Sequence, residues 1–422
     1  MKVRHYAGIL TLSFFSNGLL VSVLSLIMLD KGLGMGGIAL AMGIYSVTAA
    51  VLEVPSGIAA DILGRKRTFI LSLLVSIAAY SAMIVMRGPV WMMIAVALTG
   101  AGRAMSSGTI EALFVSRHNA AYGEERLPKA MRVLALAESV GLAAGALLGG
   151  FLPTVSSFLL PGMGVYDLNL LLRVTLSLVL AGLTMLLIPS DRGELPERVR
   201  LGVHLKGSFR VIGQSHALKW LLLAMVGLGI TLCALEAYWQ PLFLGLLGGK
   251  QQTGMLGVLS MLYFAAVTAG NLISERLLSK HKLGEKTVYL VGRAAMLVCM
   301  VGAALIAQPA VFMVLYCLMY FFLGAASISE GAMIHREVPD SSRASMLSVQ
   351  SFMMQAGVLA SSAGIGAMVE AYSIPVMWIA AAAAGVLLLA PALQILRRAR
   401  PAVPCGNEAP ASEHSKRIEE TP

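Results

Sequence analysis

Apolar positions along this chain do not alternate with polar ones, nor do they form narrow helical stripes. They come in long runs separated by short polar links. Twelve runs reach the roughly 20 residues that an α-helix needs to cross the hydrocarbon core of a bilayer. They are 6–29, 36–60, 68–87, 90–114, 130–152, 166–188, 218–246, 253–279, 286–307, 309–334, 344–371 and 374–396. Inside a bilayer every backbone amide must be satisfied within its own segment, and a helix does this. The pattern therefore predicts an all-α polytopic membrane protein with twelve transmembrane helices. The longest link, 189–217, separates two six-span halves, 1–188 and 218–397. That link carries charges and then an amphipathic stretch (Val203, Leu205, Phe209, Ile212) that predicts a helix lying on the membrane surface. Residues 398–422 are rich in Pro, Ser and Glu and predict a disordered tail.

Composition agrees and closes other routes. Of 422 residues, 57% are apolar and 13% are charged, and the mean hydropathy is +0.79. Soluble domains average about a quarter charged residues. The net charge of +10 does not point to nucleic acid, because the basic residues sit in particular links rather than on one face of a soluble domain. They crowd the amino terminus and the even-numbered links: Lys2 and Arg4, then Arg65–Arg67, Arg117 to Arg132, Arg192 to Lys219, Arg276 to Lys286, Arg336 and Arg343, and the tail. The odd-numbered links hold Lys31, Arg87 and Lys250, with Arg173 a little way into span six. This asymmetry places both termini in the cytoplasm of a cell inner membrane. Cys233, Cys299 and Cys317 lie inside apolar runs, and no spacing predicts a metal site, a disulfide framework or a cofactor.

The densest charge near any span is the link Gly57-Ile58-Ala59-Ala60-Asp61-Ile62-Leu63-Gly64-Arg65-Lys66-Arg67. Topology alone would need its basic residues but neither Asp61 nor the two glycines. The order Gly57, Asp61, Gly64, Arg65, Lys66 resembles the loop signature G-x-x-x-D-x-x-G-R-K/R of the major facilitator superfamily. A degenerate echo, Gly270 to Arg276 with Lys280 and Lys282, occupies the matching place in the second half. In span five, Gly141-x-x-x-Gly145-Ala146-x-x-Gly149-Gly150 resembles the G-x-x-x-G-P-x-x-G-G motif of the family's drug–proton antiporters, with Ala146 where they have proline. Arg343-Ala344-Ser345-Met346-Leu347-Ser348 is similar to a further family pattern before span eleven. Over about residues 5–397 the resemblance implies two pseudo-symmetric halves around a midplane cavity lined by spans one, four, seven and ten. It implies that Asp61 caps the amino-terminal end of span eleven when the cavity faces outward, and that Arg65 and Arg67 pair with acidic groups nearby. The glycine stripe implies close helix packing.

Charges inside spans cost about 2.5–3.5 kcal/mol each at the bilayer centre by insertion scales, so each is a functional candidate. Glu53, before Pro55 in span two, is expected to serve the Arg65/Arg67 gate. Arg103 and Glu111 in span four are eight residues apart and are expected on a similar face, as an ion pair or a substrate contact. Glu138 in span five and Glu236 in span seven are the leading proton carriers, with Glu111 and Glu330 behind them. Glu236 precedes Tyr238-Trp239-Gln240, and a carboxylate beside aromatic rings suits a cationic or aromatic substrate. Glu330 is followed by His335 and Arg336, so a salt bridge near the inner surface competes with a cavity role. Asn17 is a polar group at cavity depth in span one.

The function expected is transport rather than catalysis. A proton-coupled exporter of a small hydrophobic or drug-like compound fits the signature, the span-five glycines and a cavity of apolar and methionine side chains. The energy source would be the proton gradient, the partners a small molecule and the bilayer, and the assembly a monomer. Uptake of a defined solute such as a sugar or organic anion is the alternative, and Arg103 keeps an anion open. A membrane-embedded enzyme or receptor is the remote third, since no nucleotide loop or nucleophile–base set is present.

Overall fold

The computed structural model describes residues 4–189, 212, 215–249, 252–280, 283–338 and 343–398, and all regular structure among them is helical. The first half holds α1 (Arg4–Val21), α2 (Leu24–Asp30), α3 (Met35–Leu63), α4 (Arg65–Val85), α5 (Pro89–Ser106), α6 (Ile110–Tyr122), α7 (Leu127–Leu159) and α8 (Asp167–Leu187). The second holds α9 (His216–Leu246), α10 (Thr253–Ser279), α11 (Glu285–Leu305), α12 (Pro309–Glu337), α13 (Arg343–Ala371) and α14 (Ile374–Arg398). Most of the expected amphipathic stretch of the central link and the expected disordered tail lie outside the described residues.

Ten of these helices are long and apolar enough to cross a membrane. α1 and α2, bent by 51° at Ser22–Val23, make an eleventh if the pair is one span. The expected span 90–114 is broken. α5 ends at Ser106, Gly108 takes φ 67°, and α6 begins at Ile110. Glycine takes that backbone angle without a Cβ clash. The break corrects the expected face shared by Arg103 and Glu111: the two residues sit on separate helices, so eight residues of sequence no longer mean two turns of one rod. The expected echo at Gly270 lies inside α10, where it packs against span ten rather than forming a link.

Glycines bring helices of one half to backbone contact. A Cβ on Gly145 would stand 2.1 Å from the Phe15 carbonyl oxygen, and one on Gly149 would stand 2.2 Å from that of Leu19. Gly141 meets Thr11 and Phe14 in the same way. Span five thus lies on span one at four-residue intervals, as close as two backbones can approach. The second half repeats the device without a recognisable motif: Gly229 and Gly357 set span seven against span eleven, with ideal Cβ positions 2.0 and 2.2 Å from the Met354 and Val226 carbonyl oxygens.

The apolar cores show how the halves meet. One cluster spans both, joining Leu20, Ile38, Met83 and Met92 to Trp239, Phe243, Leu256 and Trp378. It lies toward the ends of the spans whose links carry few basic residues, here called the sparse face. Toward the opposite, basic face there are two separate clusters. One, in the first half, contains Tyr6, Phe69 and Phe114. The other, in the second half, contains Leu218, Tyr289 and Ile334. The halves are joined at the sparse face and parted at the basic face.

Candidate transport cavity

The joined end is built from backbone contacts and hydrogen bonds across the halves. Ideal Cβ positions on Gly150 and Gly257 fall 2.3 Å from the Gly257 nitrogen and 2.5 Å from the Leu147 carbonyl oxygen. Tyr238 Oη donates to the Met35 carbonyl at 2.7 Å, and Gln240 Nε2 donates to the Val21 carbonyl at 2.8 Å. Gly36 N donates to Glu370 Oε1 at 3.1 Å. The deepest such bond is Thr268 Oγ1 to Ser139 Oγ at 3.2 Å. Toward the basic face each half keeps its own apolar cluster, which leaves a space between the halves on that side.

Glu236 faces that space. It is exposed, while Leu235 and Ala237 beside it are buried. Around it lie Tyr45 of span two in the other half, half-buried, and Tyr263, Tyr316 and Tyr320 of spans eight and ten in its own. Those three rings form one buried cluster, with centroids 4.4 Å apart for the stacked pair Tyr263–Tyr320 and 5.2 Å for the tilted pair Tyr316–Tyr320. No ion pair joins Glu236 to a described residue. Of the aromatic company expected from Tyr238 and Trp239, Trp239 joins this same ring cluster, while Tyr238 turns to the closure. Tyr238, Trp239 and Gln240 are buried, the first and last hold the sparse-face closure, and Trp239 packs between Tyr263 and Tyr316.

In the first half Arg103 and Glu138 are exposed and Glu111 is half-buried, and both Arg103 and Glu111 act electrostatically on Glu138. Asn17 is taken by a group that its sequence neighbourhood does not show. Arg173 of span six, buried, donates from Nη2 to Asn17 Oδ1 at 2.6 Å and from Nη1 to Ser16 Oγ. Its guanidinium carbon lies 5.2 Å from the Tyr80 ring centroid. The only hint in sequence was an arginine six residues inside an apolar run, which reads as a loop charge. Glu330 is buried and pairs at 2.6 Å with Arg293 of span nine, not with His335 or Arg336. Arg336 pairs with Glu285 at 2.5 Å. A small cavity beside the buried pair is lined by Thr231, Tyr289, Arg293 and Leu297.

The signature link lies at the basic face. Gly64 takes φ 91° between α3 and α4. Lys66 donates to the Ile188 and Met185 carbonyls at 2.5 and 3.0 Å, so a cation satisfies the carboxy-terminal end of span six. Asp61, Arg67 and Gly57 are exposed, and Glu53 and Arg65 are half-buried. The side chains at the start of span eleven, where Asp61 is expected to cap, lie outside the described residues. Among the described residues no cluster of three or more His, Cys, Asp or Glu is placed to hold a metal.

The model of the Major Facilitator Superfamily matches residues 6–280 and 250–418. The chain belongs to this superfamily. Its fold is similar to that of a mutant form of the nucleoside transporter NupG (TM-score 0.79, 16% identity, 93% of this chain and 100% of the other covered). It is also similar to a bacterial homolog of the human lysosomal transporter Spinster in an inward-facing, unoccupied conformation (TM-score 0.70, 15% identity, 94% of each chain). The POT family transporter PepTSo matches likewise (TM-score 0.71, 12% identity, 94% of this chain and 97% of the other). No curated protein matches the chain in sequence. The all-helical, two-half fold is that of this superfamily, and the transporter spans a membrane many times.

Proposed function

We propose that the chain is a proton-driven exporter of small hydrophobic compounds, preferring those that carry a positive charge. It works as a monomer in the cell inner membrane with both termini cytoplasmic. The basic face is then the cytoplasmic one, and the cavity described here is open to the cytoplasm. The observation that carries this reading is Glu236: an exposed carboxylate without an ion-pair partner among the described residues, facing the inter-half space in front of the buried rings of Tyr263, Tyr316 and Tyr320. An unpaired carboxylate in an apolar surround attracts an organic cation. A proton and a cation competing for one carboxylate is the simplest way to exchange the two, because each can leave only as the other, or a conformational change, replaces it.

The test is proton release in inside-out vesicles with an acidified interior, challenged with lipophilic cations and neutral drugs in turn. Collapse of the gradient by one compound, lost in Glu236→Gln, is the expected result. A response that survives Glu236→Gln but not Glu138→Gln would move the proton to span five. Silence across the panel with folded protein present favours the second reading, uptake of a defined anionic or polar solute. Exposed Arg103 supports that reading and is the residue to test next.

A further inference from the structure

Glu370 is placed against the preference of its own helix. It lies in the last turn of α13, which ends at Ala371, where the helix dipole disfavours a carboxylate. It is satisfied elsewhere. Its Oε1 accepts the Gly36 N–H at 3.1 Å, and Gly36 is the second residue of α3. The first amide groups of a helix have no partner within it, and no side chain of the Gly34 cap supplies one here. A carboxylate of span eleven therefore fills the amino-terminal end of span two, across the two halves.

The surroundings are cut to fit that carboxylate. A Cβ on Gly36 would stand 2.4 Å from Oε1 and 2.7 Å from the carboxyl carbon of Glu370. One turn back on α13, a Cβ on Gly366 would meet the Gly36 carbonyl oxygen at 2.5 Å. A further turn back, Ser362 Oγ would stand 2.4 Å from a Cβ on Gly43. Ser362, Gly366 and Glu370 are four residues apart and share a face, which lies along Gly36 and Gly43 of α3. In sequence, Gly34-Met35-Gly36 reads as a plain turn at a span end. In the fold it is the receptacle for a side chain 334 residues away.

We propose that Glu370 is the latch of the sparse-face gate. Its charge-assisted bond to the amino terminus of span two stabilises the state in which that side is shut, and it must break each time the cavity turns to that side. It is a positioning residue, acting through the two helices and not on the substrate. The proposal rests on the transport reading above, with a cavity that turns from one face to the other, but its test uses neither substrate nor gradient, so the failure of one leaves the other standing.

The test uses the full chain in lipid nanodiscs, where a reagent reaches both faces. Ser362→Cys puts a thiol at a position that is 2% exposed while the gate is shut. Its alkylation by a polar maleimide is followed by peptide mass spectrometry. With Glu370 intact, labelling is expected to be slow. Glu370→Gln, which keeps the shape and removes the charge, is expected to raise the rate about tenfold, the size of one charge-assisted hydrogen bond. Gly36→Ala, which keeps the charge and evicts the carboxylate, is expected to do the same. Unchanged labelling in both backgrounds overturns the latch. So does loss of the folded protein in both, because a bond that only balances two states is not required to fold either half.

Discussion

The two ends of this transporter use the same spans differently. At the sparse face one apolar cluster runs through both halves, and backbone meets backbone at Gly36–Gly366 and Gly150–Gly257. At the basic face each half keeps its own cluster, and the polar groups between them are exposed. The halves are held as rigid bodies by contacts inside each. Buried Lys31–Asp167 staples the sparse end of the first half, and Arg293–Glu330 secures the second about eight residues, or roughly 12 Å, from its basic end. The difference teaches what can move. Contacts within a half include buried ion pairs, which are costly to break. Contacts between halves are van der Waals seams and single hydrogen bonds, which can be exchanged for others at little net cost.

The largest expected effect comes from damaging a half. Arg293→Ala leaves Glu330 charged and buried without its partner, and is expected to destabilise the folded transporter by about 3–5 kcal/mol. Adding Glu330→Gln should restore most of the loss. Thermal unfolding in detergent checks both, and an unaffected midpoint for Arg293→Ala would show that the pair does not hold the second half. Next comes the seam. Gly150→Leu has no room against the Gly257 backbone nitrogen at 2.3 Å, and the spans must part. The expected cost of overpacking, about 1–3 kcal/mol, becomes up to about a hundredfold loss of transport with little loss of folded protein. Equal losses of fold and transport would mean that the seam belongs to the fold and not to the cycle.

The smallest effect is expected at the parted end. Asp61 is exposed in the present state, so Asp61→Asn should leave stability unchanged. If Asp61 caps span eleven once the basic face closes, transport falls about tenfold, again one charge-assisted bond. Flux measured at matched protein levels decides this, and normal transport by Asp61→Asn removes the gate role.

Much of this molecule was legible in its runs and links. Span lengths follow from bilayer thickness, and the half boundary follows from the one long link. The glycines of span five sit at intervals of four that any helix would turn to one side. The site was less legible. Nothing near Glu236 in sequence announces Tyr263, Tyr316 and Tyr320, because they come from spans eight and ten. Tyr238, two residues on, turns away to the closure because two helical steps are about 200°, whereas Trp239, three residues on, returns to the same side and joins those rings. Arg173 and Arg293 read as strays from loops until Asn17 and Glu330 are brought to them.

By itself the sequence determined that this chain is a set of membrane-spanning helices in two halves, which face carries the basic links, and which span charges must have a purpose. Those follow from solvation, which acts on each segment alone. Which charge meets which, where span four breaks, and which end of the cavity is shut were decided only by tertiary structure. Each depends on the distance between helices far apart in sequence, and no local pattern encodes that distance.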